Sequence, residues 1–560
     1  MNTNPDTNMD DLFTPLRISD AQMRPPVSLS RRENENWCNV ADYTVGGMTR
    51  SGSMTRSGST AAGNNPTIHT FPNGFRIIHE SPVSTTPITA IHVFCNVGSA
   101  YETEESRGMS HYIEHMCFKG TKKTPIPRNI FLEFDKHGAY LNAVTDKRYT
   151  YYIVKIADEH VDPALTTVAD MMLNSTFPQS SFRREEKVVV EENIRSSDDP
   201  VTILSDLLEA ELYHGSSFEN TVDTLAYHKN RRFDRAAVIE YYRHFYRPSN
   251  MILSIVSNLS LDRIIRIVKT STDFAKPESK QNCGSMSTGL YRPQIVTTLA
   301  PPRTEPQWIL HTKPDLNTAH LSISFRTCFY FDKDKYALNL LRDILSASMS
   351  SRLFTLLREK HGLTYASAAT TIYYECGGDF SINVEVDKNK MMYFAGGSKN
   401  TKRRTDTISG RRSTNRTNRS TNRSTNRSSR TYTSSRHKEK GVVPLLVDLI
   451  KQLKRGDITE KELALAKTNM RGKMLLRQEN TDNQCMYNGK VLMILSDVEK
   501  LDKSGIVPFN QLFDKYYKGI TLKDINEVIG RYFTANNMVV GIVSSKLPDL
   551  RELKGEFDGL

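Results

Sequence analysis

Residues 108–117 have the sequence GMSHYIEHMC, which contains the pattern H-x-x-E-H formed by His111, Glu114 and His115. Residues three and four apart share one face of a helix, so these three side chains would project together. Two neutral imidazoles at i and i+4 can hold one divalent cation, and a carboxylate between them can accept a proton from an attacking water. The order of the residues is the inverted form of a zinc-peptidase signature. The pattern therefore predicts a helix that carries part of a zinc site.

A second helix pattern supplies a candidate for the third ligand. Residues 184–195, REEKVVVEENIR, form a charged segment in which Glu185 and Glu192 are seven residues apart, or two helical turns. Such a helix can bring a carboxylate to the two histidines and leave one coordination position open. An acidic helix face that is simply exposed to solvent is the alternative, because charge runs usually have that role.

Composition places the chain among folded proteins of a reducing compartment. It has 560 residues, 38% of them hydrophobic, and its seven cysteines are scattered without a C-x-x-C pair. The first residues, MNTNPDTNMDDLF, lack the features of a secretory signal, and their acidic residues argue against a mitochondrial transit peptide. No stretch of the sequence is long and apolar enough for a transmembrane helix. We expect an intracellular, cytoplasmic protein with no membrane association.

The net charge of +12 belongs to one segment of the chain. Residues 397–440 hold 14 of the 75 Lys and Arg residues but only 2 of the 63 Asp and Glu residues, so the remainder is balanced at 61 of each. This segment contains the near-repeat STNRTNRSTNRSTNRSS and cannot bury apolar surface, which predicts a disordered insertion. This basic segment suggests that polyanions are weakly bound partners.

The rest of the chain alternates strand and helix patterns in two successive units. Residues 1–66 lack apolar periodicity, which predicts a disordered N-terminal tail. A first α+β unit follows over 67–290 and would contain the zinc site. The Pro-rich stretch 291–312 is typical of an interdomain linker, and a second unit, interrupted by the basic insertion, covers 313–560.

Several separate stretches resemble the M16 family of zinc metallopeptidases, the group of insulinase, pitrilysin and mitochondrial processing peptidase. The likeness spans nearly all of the chain that we expect to be ordered. It implies an α+β fold with two similar α/β sandwich domains, of the M16 and LuxS-like metallohydrolase type, which form half of a clamshell chamber. The similar stretches are PNGFRI at 72–77, the block around H-x-x-E-H at 98–121, GAYLNAVT at 138–145, Glu191-Glu192, SRLF at 351–354 and REKHGLTY at 358–365.

By this resemblance, His111, His115 and Glu192 are the ligands of one zinc ion per chain, and Glu114 is the general base. Glu191 remains the alternative third ligand. Glu192 is preferred because Glu185 lies two turns before it, and the family also has a supporting acidic residue at that position.

The resemblance assigns roles outside the ligand set as well. Glu185 is that supporting acidic residue, in the second shell of the metal. Arg358 and Tyr365 come from the second domain, where the family's residues hold the substrate backbone and stabilise the oxyanion. Asn142 and Ala143 lie on the strand along which the substrate is bound, as an added β-strand.

These observations predict a zinc-dependent endopeptidase that cleaves extended or unfolded peptides. Its partners would be a peptide or protein substrate and either a second copy of the chain or a second M16-like chain. One alternative is a catalytically silent scaffold or peptide-binding subunit, although such a protein would not need an intact H-x-x-E-H pattern. Another is a protein that binds nucleic acid or an anionic surface through the basic insertion.

Overall fold

The computed structural model describes residues 65–222, 232–278, 294–395, 438–495 and 506–560. Each half of this chain contributes one mixed β-sheet and a set of helices. Residues 1–64 of the tail predicted at 1–66, and nearly all of the predicted insertion, lie outside the described residues.

The first half forms the larger sheet. Its strands are β1 (Thr67–Thr70), β2 (Arg76–Glu80), β3 (Ile88–Cys95), β4 (Tyr140–Thr145), β5 (Thr150–Ala157) and β6 (Met251–Val256). Its helices are α1 (Met109–Met116), α2 (Pro127–Asp135), α3 (Val161–Leu173), α4 (Gln179–Asp198), α5 (Pro200–Leu212), α6 (Arg235–Phe245) and α7 (Leu261–Ser271).

The second half repeats this plan. Its strands are β7 (Gln307–Thr312), β8 (Thr318–Thr327), β9 (Ala366–Tyr373), β10 (Gly378–Asp387), β11 (Tyr393–Ala395), β12 (Lys438–Lys440) and β13 (Met538–Ser544). Its helices are α8 (Asp334–Ser346), α9 (Val442–Lys454), α10 (Glu460–Gln478), α11 (Thr481–Leu495), α12 (Leu522–Tyr532) and α13 (Leu550–Glu556), with π-helical turns at Phe354–Lys360 and Phe513–Tyr517.

The two large sheets have matching strand orders. The first sheet runs β1-β2-β6-β3-β5-β4 and the second runs β7-β13-β8-β10-β9. In each sheet one pair is parallel, β2 with β6 and β7 with β13, and the other neighbours in these orders are antiparallel. Strand β9 therefore corresponds to β4, and both lie at a sheet edge. In chain order α8 then corresponds to α1 and α10 to α4.

The two halves exchange one helix each. Helix α5 of the first half packs on β13 and β8 of the second sheet, and α11 of the second half packs on β3 and β6 of the first sheet. Glycines allow both close approaches, because a Cβ at Gly489 would lie 2.1 Å from the ring of Phe94, and one at Gly541 would lie 2.6 Å from Leu204. Each sheet is thus covered on one face by the other half of the chain.

The exchange of α5 begins at a break in a long helical segment. The side chain of Asp199 accepts hydrogen bonds from the backbone N–H groups of Val201 and Thr202, which caps the new helix, and Pro200 occupies its first position. Apolar residues of α5 then pack against Val539 and Val543 of β13; they are Leu204, Leu208 and Leu212. The break therefore leaves α4 beside α1 and sends α5 to the other sheet.

Several sequence predictions can be compared with these elements. The helix predicted at the H-x-x-E-H pattern is confirmed as α1, and the charged helix predicted at 184–195 lies within α4. Residues 307–312 were wrongly placed in the linker, since they form β7 and pair in parallel with β13. Residues 438–440, predicted to be disordered, form β12 and pair with β11 across the insertion. The two domain boundaries stay a prediction.

Candidate metal centre

Helix α1 begins at a glycine in the left-handed conformation and at a buried carboxylate. Gly108 has a φ of 84°, in the left-handed region that glycine adopts readily. The buried carboxylate of Glu102 accepts hydrogen bonds from the N–H groups of Gly108, at 2.7 Å, and Ser110, at 2.8 Å. A carboxylate at this end of a helix satisfies its unpaired N–H groups and complements the helix dipole. This cap fixes the first turn of α1, where His111 lies.

A buried tyrosine joins α1 to α4. The hydroxyl of Tyr112 donates a hydrogen bond of 2.5 Å to the carbonyl of Phe182, and the two aromatic rings pack edge to face. Tyr112 lies between the two histidines in sequence, so its anchorage sets the rotation of α1 relative to α4. The histidine face of α1 is thereby held opposite the acidic face of α4.

The three predicted ligands converge on one point. The Nε2 atoms of His111 and His115 are 3.2 Å apart, and Oε2 of Glu192 lies 3.8 Å and 3.2 Å from them. These three residues form a group of potential metal-binding side chains whose ligand atoms all lie within 4.8 Å of one another. Glu191, the alternative third ligand, is exposed and is not a member of that group.

This geometry fits a zinc ion. In a tetrahedral site with bonds of about 2.0–2.2 Å, neighbouring ligand atoms are about 3.3–3.6 Å apart, close to the three separations found here. The buried Oε2 of Glu192 accepts no hydrogen bond from the described residues, although His115 is near. A buried carboxylate oxygen without a donor is costly, and a cation at the centre of the group would compensate for it.

Glu185 holds the outer side of His115. Its Oε1 lies 3.0 Å from Nδ1 of His115, and its Oε2 forms a 2.8 Å ion pair with Nζ of Lys119. A carboxylate that accepts the second N–H of a histidine fixes its tautomer, so that Nε2 is presented to the metal. Helix position explains the contact, because Glu185 and Glu192 project from the same face of α4.

The acidic side chains make the centre favourable for positive charge. Burial disfavours the charged imidazole of His115, but the carboxylates of Glu185 and Glu192 outweigh burial and raise its pKa to about 10. Burial raises the pKa of each of these two carboxyl groups, yet the contacts with His115 leave both pKa values below their ordinary range. Electrostatics and geometry therefore both favour a cation at this point.

Glu114 lies beside the ligands and is oriented by β4. The hydroxyl of Thr145 donates a 2.8 Å hydrogen bond to Oε2 of Glu114, which is itself buried. Together with Glu114, His115 and Glu192, the side chains of Asn142 and Ala143 line the cleft. Strand β4 is an edge strand of its sheet, so one side of its backbone has no neighbouring strand among the described residues. The cleft thus joins a carboxylate, a candidate metal centre and a sheet edge.

Comparison with known proteins identifies the family of this chain. Residues 78–224 match the family described as Insulinase (Peptidase family M16), and residues 232–393 match the Peptidase M16 inactive domain. The uncharacterized zinc protease YmxG of Bacillus subtilis is 30% identical over 470 residues, which cover 83% of this chain and 95% of that protein. The chain belongs to peptidase family M16.

Other relatives support the same family and fold. The mitochondrial-processing peptidase subunit beta of Dictyostelium discoideum is 26% identical over 281 residues, which cover 50% of this chain and 56% of that protein. The crystal structure of a protease from Helicobacter pylori matches with a TM-score of 0.68 at 17% identity, covering 86% of this chain and 100% of that one. The M16 resemblance and the two-domain α/β fold predicted from the sequence are confirmed.

The M16 resemblance assigned two residues of the second half of the chain, Arg358 and Tyr365, to the site. Tyr365 is 85% exposed, and the guanidinium of Arg358 stacks on its ring at 4.5 Å. Arg358 also contacts the ring of Phe354. Neither Arg358 nor Tyr365 is among the residues that line the cleft. Their role in this M16 member stays a prediction.

Neither Thr145 nor Lys119 was predicted from the sequence to be a site residue. Both belong to stretches that resemble the family, but neither was given a role. Thr145 could have been found from strand periodicity, because residues two apart on a strand share a face and Ala143 was already assigned. Lys119 had no such signal, since it lies beyond the end of α1 and depends on the path of the chain there.

Proposed function

We propose that this M16 member is a zinc-dependent endopeptidase that cleaves extended peptides. The observation that carries the proposal is the convergence of His111, His115 and Glu192 beside the buried carboxylate of Glu114. Three protein ligands with an open fourth position are typical of catalytic zinc, whereas structural zinc sites are closed by four. A relative named as a zinc protease that is similar over most of its length supports the same conclusion.

The residues of the cleft divide the chemistry among them. Zinc held by the three ligands would polarise the scissile carbonyl and acidify the attacking water. Glu114 accepts the proton of that water and delivers it to the leaving amine, while Thr145 holds its carboxylate in place. The free edge of β4 pairs with the backbone of an extended substrate near Ala143, which favours unfolded segments over folded proteins.

The decisive experiment separates the metal from the base. Glu114→Gln keeps the shape of the side chain but removes its carboxylate, so we expect normal zinc content and a loss of turnover of roughly 100-fold or more. Glu191→Gln is the matched control, because this glutamate is exposed and should leave both quantities unchanged. Peptide turnover and bound zinc are measured on the same samples. Cleavage by Glu114→Gln at the control rate would refute the assignment of the base.

We further propose that two chains face each other and that each supplies Arg358 and Tyr365 to the other's cleft. The exposure of Tyr365 and the absence of this pair from the lining of the cleft support an arrangement in trans. Closed two-fold dimers are the commonest homo-oligomers, and such a dimer would complete both sites. Tyr365 would then donate a hydrogen bond to the developing oxyanion.

Mixing two inactive variants tests this arrangement. In a mixed dimer of Glu114→Gln and Tyr365→Phe chains, one cleft carries both defects and the other carries none. Random pairing should therefore restore about a quarter of the wild-type turnover when tyrosine acts across a two-fold dimer. Equal inactivity of the mixture and of each variant alone would mean that the tyrosine acts within one chain, or that the natural partner is a different M16-like chain.

A catalytically silent, peptide-binding subunit is the second candidate. It is favoured by the match of residues 232–393 to a domain described as inactive. This protein would bind peptides along β4 without cleaving them. Bound zinc with no turnover of any member of a diverse peptide library, under conditions in which peptides bind, would favour this function over the peptidase.

A further inference from the structure

The second half of the chain contains a cavity at the position that corresponds to the metal cleft. It has a volume of about 210 Å³ and is lined by residues of α8, β9 and α10. These elements correspond in chain order and sheet position to α1, β4 and α4, which enclose the metal cleft. The same architectural position is therefore kept open twice in one molecule, and the two openings have different side chains.

The lining positions on the long helices repeat with the same spacing. Both helices present residues three and seven positions after the first one. These residues are Glu185, Val188 and Glu192 on α4, and Met470, Lys473 and Arg477 on α10. In the second half, a guanidinium takes the place of the candidate ligand carboxylate, and an ammonium takes the place of a valine.

The short helices show a related change. His111 and His115 on α1 are four residues apart, as are Arg342 and Ser346 on α8, which line the cavity. The hydroxyl of Ser346 is occupied by the backbone of Ala369, from whose N–H it accepts a hydrogen bond of 2.9 Å. Neither residue of this second pair is a ligand for zinc at neutral pH. The cavity has thus lost the donor set of a cation site.

The charges in the cavity favour an anion. Arg342, Lys473 and Arg477 line it together with the single carboxylate of Asp343. That carboxylate is paired through Oδ1 with the guanidinium of Arg342, at 2.8 Å and 3.0 Å. Lys473 and Arg477 also line the cavity, so three cationic side chains share one carboxylate in its lining.

The second carboxylate oxygen of Asp343 lacks a hydrogen-bond donor in the part of the chain that the structure describes. Its Oδ2 is buried and accepts no hydrogen bond from the described residues, and the ammonium of Lys473 lies 3.7 Å away. An unsatisfied buried acceptor is costly, so a ligand that donates a hydrogen bond there is favoured. The cavity is also smaller than the pockets of roughly 300–1,000 Å³ that hold drug-sized molecules. It suits a small anion that still carries a proton.

We propose that this cavity is a binding site for inorganic phosphate, distinct from the metal centre and independent of the peptidase function. Monohydrogen phosphate has acceptor oxygens for Lys473 and Arg477 and one hydroxyl that can donate to Oδ2 of Asp343. Sulfate has the same size and charge but no proton at neutral pH. The dianion of a phosphomonoester also lacks one. The site should therefore prefer inorganic phosphate to both.

Calorimetric titration of the full-length, zinc-loaded protein with inorganic phosphate tests the proposal. We expect one saturable site, about tenfold or more weaker binding of sulfate and of a simple phosphomonoester, and a similar loss for Lys473→Ala. Lys473→Arg should restore binding. Arg471→Ala is the matched control, because this exposed residue on α10 does not line the cavity and should bind phosphate like the wild type.

Three results would overturn the proposal. Phosphate binding that is equal in Lys473→Ala and the wild type would place the anion elsewhere, for example on the basic insertion. Loss of phosphate binding in His111→Ala would place it at the metal centre. Sulfate that binds as tightly as phosphate would refute the hydrogen bond to Asp343 and with it the choice of ligand. None of these outcomes depends on peptide cleavage.

Discussion

Adjacent glutamates on α4 have different surroundings, and this difference supports Glu192 as the proposed third ligand. Glu192 has a buried oxygen 3.2 Å from Nε2 of His115, whereas Glu191 is exposed to solvent. Replacing a ligand carboxylate with an amide removes its charge, so Glu192→Gln should weaken zinc binding by roughly 100-fold or more. Glu191→Gln should change it less than about twofold. Competition with a chromophoric chelator measures both affinities, and the opposite ranking would transfer the ligand to Glu191.

Thr145 provides a second prediction at the level of single residues. Its hydroxyl is the donor that orients Glu114, so Thr145→Val should lower kcat by about tenfold while KM and zinc content stay near the wild-type values. Thr145→Ser retains the donor and should recover most of kcat. A fall in zinc content or a rise in KM for the valine variant, with no rescue by serine, would show that Thr145 acts only through the packing of β4.

The sequence predicts which site residues lie together when they are close in sequence on one helix. His111 and His115 are one turn apart, and Glu185 and Glu192 are two turns apart, so helix periodicity alone groups each pair. The contact of Thr145 with Glu114 depends on how β4 packs on α1, and no spacing rule contains that information. Proximity of Arg358 and Tyr365 to the site was expected from resemblance only, and the described chain does not show it.

At the level of elements, the exchanged helices are the feature that holds the halves together. Because a Cβ at Gly489 would lie 2.1 Å from the ring of Phe94, Gly489→Ala overpacks the junction of α11 with β3. We expect a loss of about 1–3 kcal/mol in the free energy of unfolding, which is typical of an added methyl group in a tight core. Chemical denaturation followed by circular dichroism measures this change.

A second glycine supplies the control for this prediction. Gly472 lies within α10, and a Cβ there would meet no atom within 4 Å outside its own helix. Gly472→Ala should therefore stabilise the protein by up to about 1 kcal/mol, because alanine has the higher helix propensity. If both substitutions changed stability in the same direction and by the same amount, the close approach of α11 to Phe94 would not be a determinant of stability.

Elements with strong periodicity were predictable, and their partners were not. The helix predicted at the H-x-x-E-H pattern and the helix predicted at 184–195 follow from local spacing. Strand β7 was missed because the prolines at 301, 302 and 306, just before it in the sequence, indicate a linker. Pairing with β13 requires only that residues 307–312 be extended, and these residues contain no proline. The exchange of α5 and α11 depends on contacts between residues hundreds of positions apart, such as the 2.6 Å hydrogen bond from Asn488 to Glu80.

At the scale of the whole molecule, the metal cleft and the corresponding cavity of the second half have different side chains. The strand orders of the two sheets match, yet the metal cleft is lined by one imidazole, three carboxylates and one ammonium group, and the other cavity by two guanidinium groups, one ammonium group and one carboxylate. The resemblance to M16 implied the repeated fold, but the charge inversion appears only when the two clefts are compared position by position. The two halves therefore share one backbone plan, and their clefts differ in a few side chains on two helices.

Residues 397–437 separate two strands that pair with each other, and this arrangement leads to the last prediction. Strands β11 and β12 are antiparallel, with Ala395 opposite Lys438, so the chain leaves and re-enters the fold at one place. Deleting 397–437 and closing the gap with a short turn should preserve the fold and peptide turnover, because loop length contributes little to stability. The full deletion to 440 would also remove β12 and is the less suitable variant.

The same deletion should abolish salt-sensitive retention on heparin, because residues 397–437 hold 12 Lys and Arg residues and one Asp and so carry 11 of the net charge of +12. Turnover, circular dichroism and elution from heparin are measured on the deletion variant and the wild type. Folding without turnover would show that the insertion contributes to the substrate chamber. Unchanged retention on heparin would mean that a folded surface binds polyanions, and the cations near Lys473 would then be the first residues to replace.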